Sequence, residues 1–575
     1  MIRVKWDAGL VMALAVCLAL AVFGWRVANP FDVSWIDGDT LTSQFGWELY
    51  RADRAHWFPI ATNRYSWPLS MPLAMFDNMP LIALVVKVLA PPSLGPVQYF
   101  GPIFLIGMAL QGLFAWALLR EVTRGREGAA YRISLTLGAL FLAASPTLLV
   151  RFQLSHIALT QHWLLLAAIW LMARSTRVGT GRTLRDFALL ALVAAAINVY
   201  LMAMCMMVYA GLVLKLAMDR AIARRQLLLL PLPPITALLA MALSGFIMLG
   251  GGKLLSGEGY QVFSANLYTL FNPMPDQFGS AFLPGLPVAT GGQYEGFAYL
   301  GVGAMLLTLG GLVYTRIKGD GGQGLFEPLA VVVFGAFVLA LSTRITFGPY
   351  SVFLPVAERV SDLLGIFRSS GRFIWVVVYG LMFVAIAGLI RGLPPQLAAM
   401  LLGLAATVQA ADLAAPFAAM HERFARITQP SRFTDPAYEG LGQAHDTLLV
   451  LPAWQCQVWE PGKFDYPWTH FIRFSWAAMD GHLATNTFYA GRTPEAQMKV
   501  HCSELPAQVL AQPTNPRTVY LLSRRSFATF GAHISASHFC HFAEDMYVCR
   551  GDRGRAGLSE RASAEVAANS LQIRP

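Results

Sequence analysis

One stretch decides the fold class: Arg3-Val4-Lys5, then Gly9-Leu10-Val11-Met12-Ala13-Leu14-Ala15-Val16-Cys17-Leu18-Ala19-Leu20-Ala21-Val22-Phe23, then Arg26 and, a few residues on, Trp35-Ile36-Asp37-Gly38-Asp39-Thr40. The apolar run over 9–27 is long enough to cross roughly 30 Å of hydrocarbon as a helix. A cleaved signal peptide is the rival reading, but Arg26 and Asn29 leave no clean small-residue cleavage site. With Arg3 and Lys5 kept in the cytoplasm, residues 29–98 fall on the outer side.

Composition agrees. Of 575 residues, 56% are hydrophobic and 13% charged, where soluble domains carry about a quarter charged residues. Lys+Arg number 43 against Asp+Glu 33, a formal net charge of +10. The basic excess sits in short loops between apolar runs, so it follows the positive-inside rule and calls for no nucleic acid.

Outward from the opening stretch, 29–98 is too aromatic and Pro-rich for a linker and is expected to fold against the membrane. Its apolar stretch 80–90 carries Lys87 and is shorter than the roughly twenty residues a span needs, which predicts a re-entrant or interfacial helix. Crossings are then expected at 99–119, 133–150, 163–173, 227–249, 297–314, 325–341, 373–389 and 396–414. Within 187–218, basic clusters at both ends require two short helices broken near 198–200. The basic groups Arg120 and Arg124, Arg174 and Arg177, Arg220 and Arg224, Arg316 and Lys318, and Arg391 all fall inside if there are about eleven crossings, with the amino terminus in and the tail out.

From 415 onward charge rises and the long apolar runs stop. Stretches 447–451 and 518–522 alternate like strands and 470–479 has a helical pattern, predicting an extracytoplasmic α/β domain over 415–555 and a flexible tail over 556–575. Four of the six cysteines, Cys456, Cys502, Cys540 and Cys549, lie in this domain, which fits an oxidising compartment. Cys540 and Cys549 flank an expected hairpin and should pair, leaving Cys456 with Cys502. The expected fold is therefore an all-α polytopic membrane protein over 1–414 with a C-terminal α/β domain.

Asp37-Gly38-Asp39 carries the most chemistry. Two carboxylates around one glycine can hold a divalent cation such as Mg or Mn, orient a phosphate through it, or leave one carboxylate as a base; they can equally be an Asp-Gly turn at a helix exit. Gln44, Trp47, Glu48, Tyr50 and Arg51 follow at helical spacing, then Arg64, Tyr65 and Trp67, then Asp77-Asn78. Aromatic faces such as Trp47 and Tyr65 with Arg64 suit a sugar phosphate, against the alternative of an interfacial aromatic belt.

Further along, His156 and His162 lie six apart, so they do not share a helical face as a metal pair would. They are structural residues or phosphate contacts beside Arg151. Glu295 either caps a helix or offers a second carboxylate to a cavity. Arg368 and Arg372, if helical, share a face that clamps a diphosphate or anchors to lipid headgroups. The sequence holds no phosphate-cradling loop, nucleophile elbow or redox CxxC.

These residues carry a resemblance. The layout is similar to the GT-C class of polytopic glycosyltransferases, which use polyprenyl-phosphate-linked sugars and place a catalytic acid in the first outer loop. Asp37-Gly38-Asp39, Gln44-Phe45-Gly46-Trp47, Tyr50-Arg51, Tyr65, Pro68 and Asp77-Asn78-Met79-Pro80-Leu81 also resemble a bacterial family of inner-membrane proteins assigned to that class. The resemblance extends over nearly the whole chain, through Gln98-Tyr99-Phe100-Gly101, the His156 and His162 turn, Tyr294-Glu295-Gly296 and Phe367-Arg368-Ser369-Ser370-Gly371-Arg372.

It implies Asp39 as the base, Asp37 and Asp77 as supporting acids or metal ligands, and a polyprenyl-phosphate sugar as donor. The acceptor would be an envelope glycan, lipid or protein on the periplasmic face of the inner membrane, selected by the tail domain. One departure is that His156 and His162 stand at the next outer turn, where a second acidic pair is expected. A transporter or flippase for lipid-linked saccharides, or a non-catalytic binding partner in the envelope, would use the same residues. The nearly charge-free apolar segments favour surface chemistry over translocation.

Overall fold

A computed structural model describes residues 2–247, 259–318, 324–459, 465–491 and 493–551. The tail expected over 556–575 lies outside the described residues. The chain forms two compact units, each discontinuous in sequence: 1–35 with 98–241 and 256–427, and 36–97 with 242–255 and 428–575.

The first unit is helical. Among the described residues, seven helices are long and apolar enough to cross a membrane: Trp6–Phe23 (within α1, Ile2–Phe23), Phe100–Val122, Ala129–Gln153, Val199–Met218, Arg224–Leu243, Ser370–Gly392 and Pro395–Arg426. The remaining expected crossings correspond to shorter or more charged helices. Ile157–Ala173 and Phe326–Leu341 are apolar but short, and Thr180–Ile197 carries Arg182, Arg185 and Asp186. The expected break near 198–200 is present, because Asn198 leaves the helical region and its side chain accepts from Tyr200 N at 2.9 Å to cap Val199–Met218.

Small residues let these helices approach closely. A Cβ on Gly388 would stand 1.9 Å from Thr315 Oγ1, and one on Gly311 would stand 2.7 Å from the Ala385 carbonyl oxygen. Apolar helices in lipid associate by such packing, since lipid is as apolar as their side chains. Phe23, Phe104, Phe152 and Phe424 cluster around α1, and Trp35 stacks on Phe152. Asp412, fully buried in Pro395–Arg426, accepts from Tyr299 Oη at 2.7 Å and from Val302 N at 2.9 Å. It thereby caps the helix Val302–Lys318, where the positive end of the helix dipole favours a carboxylate.

The second unit is built on a five-stranded sheet. Its strands are β1 (Thr447–Leu451), β2 (Ala484–Thr485), β3 (Thr518–Leu522), β4 (His538–Ala543) and β5 (Met546–Gly551), in the order β2-β1-β3-β5-β4. β1 and β3 pair in parallel and are buried along their whole length, as the runs TLLVL and TVYLL require of strands covered on both faces. The expected strands and the helix Trp468–Asp480 are all found. So are both disulfides, Cys456–Cys502 and Cys540–Cys549, the latter across the register of the β4–β5 hairpin.

The segment 36–97 departs from the expected organisation, since it belongs to the unit of the sheet domain. It contributes α2 (Gly38–Ala52) and α3 (Pro80–Leu89). Trp67 N donates to Thr485 O at 2.9 Å and Thr485 N donates to Arg64 O at 2.7 Å, so this backbone satisfies the β2 edge. Phe45 meets Trp476 edge to face, and Tyr65 and Phe76 pack on Phe488. A segment of this size cannot bury its aromatic residues by itself, and the sheet domain supplies the missing core.

Candidate active site at the start of α2

Asp37 occupies the position before α2 in extended conformation, and Gly38 has φ +50°, a region open to glycine at little cost. This geometry explains the Asp-Gly-Asp run: the glycine turns the chain into the helix and leaves a carboxylate on each side. Asp39 lies in the first turn of α2, where the helix dipole favours negative charge. Both acids are partly exposed. Thr42 and Ser43 hydroxyls each donate to the Asp39 carbonyl at 2.8 Å.

Asp77 follows a short 3-10 turn and adopts φ +53°. Next to it, buried Asn78 donates through Nδ2 to Ser43 O at 3.0 Å, one helical turn beyond Asp39. Asp77-Asn78 is thus held against the amino-terminal half of α2, and the three acids singled out from the sequence belong to one unit. Among the described residues no three His, Cys, Asp or Glu side chains group to hold a metal ion. Two carboxylates are a poor hard-cation site without further oxygen ligands.

Deeper in α2 the side chains are structural. Glu48 accepts from Gln44 Nε2 (3.0 Å), Val97 N (2.8 Å), and Arg51 Nε and Nη2 (2.9 and 2.5 Å). Burial pushes its carboxyl up to about 7, against the opposing pull of Arg51 and of the Val97 N–H. Trp47 donates to Val97 O at 2.8 Å. Trp47 and Tyr65 are both 0% exposed, which corrects their assignment to a sugar face: a ring with no open face cannot stack on a ligand. Arg64 remains half-exposed and donates to His482 O at 2.6 Å. Lys87, the charge within α3, is buried and donates to Asp53 O at 2.6 Å and His56 O at 3.0 Å, which ties α3 to the chain leaving α2.

The other residues singled out from the sequence lie in the helical unit. Glu295 accepts a bidentate pair from Arg372, Nε to Oε2 at 2.9 Å and Nη2 to Oε1 at 2.5 Å, and a third bond from Arg151 Nη1 at 2.7 Å. Burial opposes its ionisation, but Arg372, His156 and Arg151 together hold the carboxyl well below its ordinary range. Arg151 is fully buried, donates also to Tyr294 O at 2.7 Å, and lies over the Trp375 ring.

His156 follows the helix of Arg151, with its backbone N donating to Arg151 O at 2.9 Å. His162 is buried, sharing a hydrogen bond of 2.9 Å with Tyr379 Oη and packing on Trp375. It is therefore a core residue. Arg368 and Arg372 do not share a helical face, because the helix before them ends at Gly365 and a 3-10 turn begins at Ser370. Arg368 lies over the Phe263 ring while Arg372 is engaged by Glu295, so the expected two-arginine clamp is not formed.

Sequence reasoning missed Arg54, His56, His445 and His482, which line a cleft with Arg64. No spacing signal could have found them, since the two stretches lie far apart in the chain. Compared with known families, residues 12–414 match a family described as Domain of unknown function (DUF6311), and residues 437–551 match the DUF6311 C-terminal domain. No curated protein matches the chain.

Proposed function

We propose, on the premise that this chain belongs to the DUF6311 family, that it is a membrane glycosyltransferase of GT-C type. In this reading it moves a sugar from a polyprenyl-phosphate carrier to an envelope acceptor. The observation that carries it is the pair of partly exposed carboxylates, Asp37 and Asp39, at the start of α2, which follows the first apolar helix in sequence, with Asp77-Asn78 held to α2.

Asp39 takes the proton from an acceptor hydroxyl. The acceptor oxygen forms its bond to the anomeric carbon while the bond from that carbon to the phosphate oxygen breaks, and the lipid phosphate leaves with the electron pair. Direct displacement inverts the anomeric centre. Asp37 and Asp77 support the charge and orientation of Asp39. The seven long helices, with Ile157–Ala173, Thr180–Ile197, Val302–Lys318 and Phe326–Leu341 also crossing, make about eleven spans. The basic loops then lie in the cytoplasm and the sheet domain in the periplasm of a bacterial cell.

The test is purified protein in lipid with a panel of polyprenyl-phosphate sugars and an envelope acceptor fraction competent with another transferase. Wild type is expected to form product, and Asp39→Asn to lose about a hundredfold or more of the rate while still binding the carrier. Carrier binding with no product from wild type defeats the reading. Transport of a lipid-linked saccharide is favoured by one observation, the buried pairing of Arg151 with Glu295 at the end of a spanning helix. It predicts carrier movement across vesicles without product.

A further inference from the structure

A cleft of about 780 Å³ in the sheet-domain unit is bordered by the stretch that leaves α2 and by the turns around His445 and His482. Its size falls within the range of small-ligand sites, roughly 300–1,000 Å³. Arg54, Arg64, His56, His445 and His482 line it, against the carboxylates of Asp53 and Asp446. Both carboxylates are already engaged by the protein.

Asp53 accepts from Ala55 N at 3.0 Å, His56 Nδ1 at 2.8 Å and Thr62 Oγ1 at 2.9 Å. Asp446 is held by both donor atoms of Arg517, Nη2 at 2.6 Å. Arg64 spends one nitrogen on the neutral carbonyl of His482, and among the described residues neither Arg54 nor Arg64 forms a salt bridge with a carboxylate. The cleft therefore presents two guanidinium groups that, among the described residues, form no ion pair with a carboxylate, with Asp446 near enough to Arg64 to feel its charge.

The remaining walls are polar and suit hydroxyl groups: Asn63 and Ser93 each offer a donor and an acceptor, and His482 is exposed on a left-handed turn. A second depression of about 290 Å³ shares Asn63, Arg64, Asp446 and His482 and reaches Trp67, whose ring is half-exposed. An apolar ligand would find little to bury here, whereas a polyhydroxylated ligand carrying one anionic group would find both kinds of partner.

We infer that this cleft binds an anionic saccharide, its phosphate or carboxylate held by Arg54 and Arg64 and its hydroxyls by Asn63, Ser93 and His482. The inference concerns binding alone and stands whether or not Asp39 performs transfer.

The experiment is saturation-transfer difference NMR on the full chain in lipid nanodiscs, with glucose 6-phosphate, glucuronate and glucose as probes. Wild type is expected to give signals with one or both anionic sugars and none with glucose; which of the two responds identifies the anion. Arg54→Gln, at an exposed position with no hydrogen bond or ion pair among the described residues, is expected to weaken binding at least tenfold. Arg54→Gln combined with Arg64→Gln should abolish it. The inference is overturned by equal signals from glucose, by absence of signal from either anionic sugar with wild type, or by unchanged binding in Arg54→Gln. None of these three outcomes depends on the folding of the double variant.

Discussion

Glu48 and Glu295 are both buried carboxylates bridged by arginine, one in each unit, and they titrate in opposite directions. Glu48 has one guanidinium, Arg51, and burial prevails, pushing it up to about 7. Glu295 has two, Arg151 and Arg372, with His156 nearby, and the cations prevail. Burial alone does not decide whether a carboxylate is charged; the number of compensating cations does. Asp37 and Asp39 differ from both in place, partly open to solvent at a helix start and not in a core.

The largest effect is expected from Glu295→Gln, which removes the carboxylate charge shared by Arg151 and Arg372. It should lower unfolding stability in detergent by about 3–5 kcal/mol, measured by tryptophan fluorescence against denaturant. Arg372→Gln removes one of two cations and leaves Arg151 on Glu295, so the loss should be smaller, about 1–3 kcal/mol. Equal losses would show that the two arginines do not share the load.

Titration sharpens the contrast. Glu48 binds its proton more tightly in the folded state, so stability falls as pH rises from its ordinary 4.5 to about 7, by up to roughly 3 kcal/mol, and Glu48→Gln should remove that slope. Glu295 runs the other way: its contribution is present above its ordinary 4.5 and is lost as pH falls below it, and Glu295→Gln should remove the acid-side loss. Parallel slopes in the two variants would contradict the comparison. The smallest effect on stability is expected from Asp39→Asn, within about 0.5 kcal/mol, because the side chain lies at the helix start and not in the core. A large loss of stability there would mark Asp39 as structural.

Much of the fold was legible because its signals are local. Apolar length located the seven helices long and apolar enough to cross a membrane among the described residues, a polar Asn198 marked the break in a long apolar run, and alternation located β1 and β3. Cysteine spacing around a hairpin anticipated Cys540–Cys549, leaving Cys456 with Cys502. The candidate acids were legible because Asp37, Gly38 and Asp39 are adjacent, with the turn built by the glycine itself. Trp47 and Tyr65 misled because an aromatic residue near a membrane surface has the same spacing whether it faces a sugar or a core.

What remained hidden depends on which surfaces meet. Residue order ties 36–97 to the helices on either side of it, while the structure gives its aromatic residues a core in 428–551 and its backbone an edge strand to complete. Likewise Arg151, Glu295 and Arg372 are separated by long stretches, and nothing in their spacing says that one carboxylate is shared by two arginines. Hydrophobic period and cysteine spacing are set by neighbours along the chain and can be read from it. The partners of a buried charge or an aromatic ring are set by packing between distant segments, so only the tertiary structure could decide them.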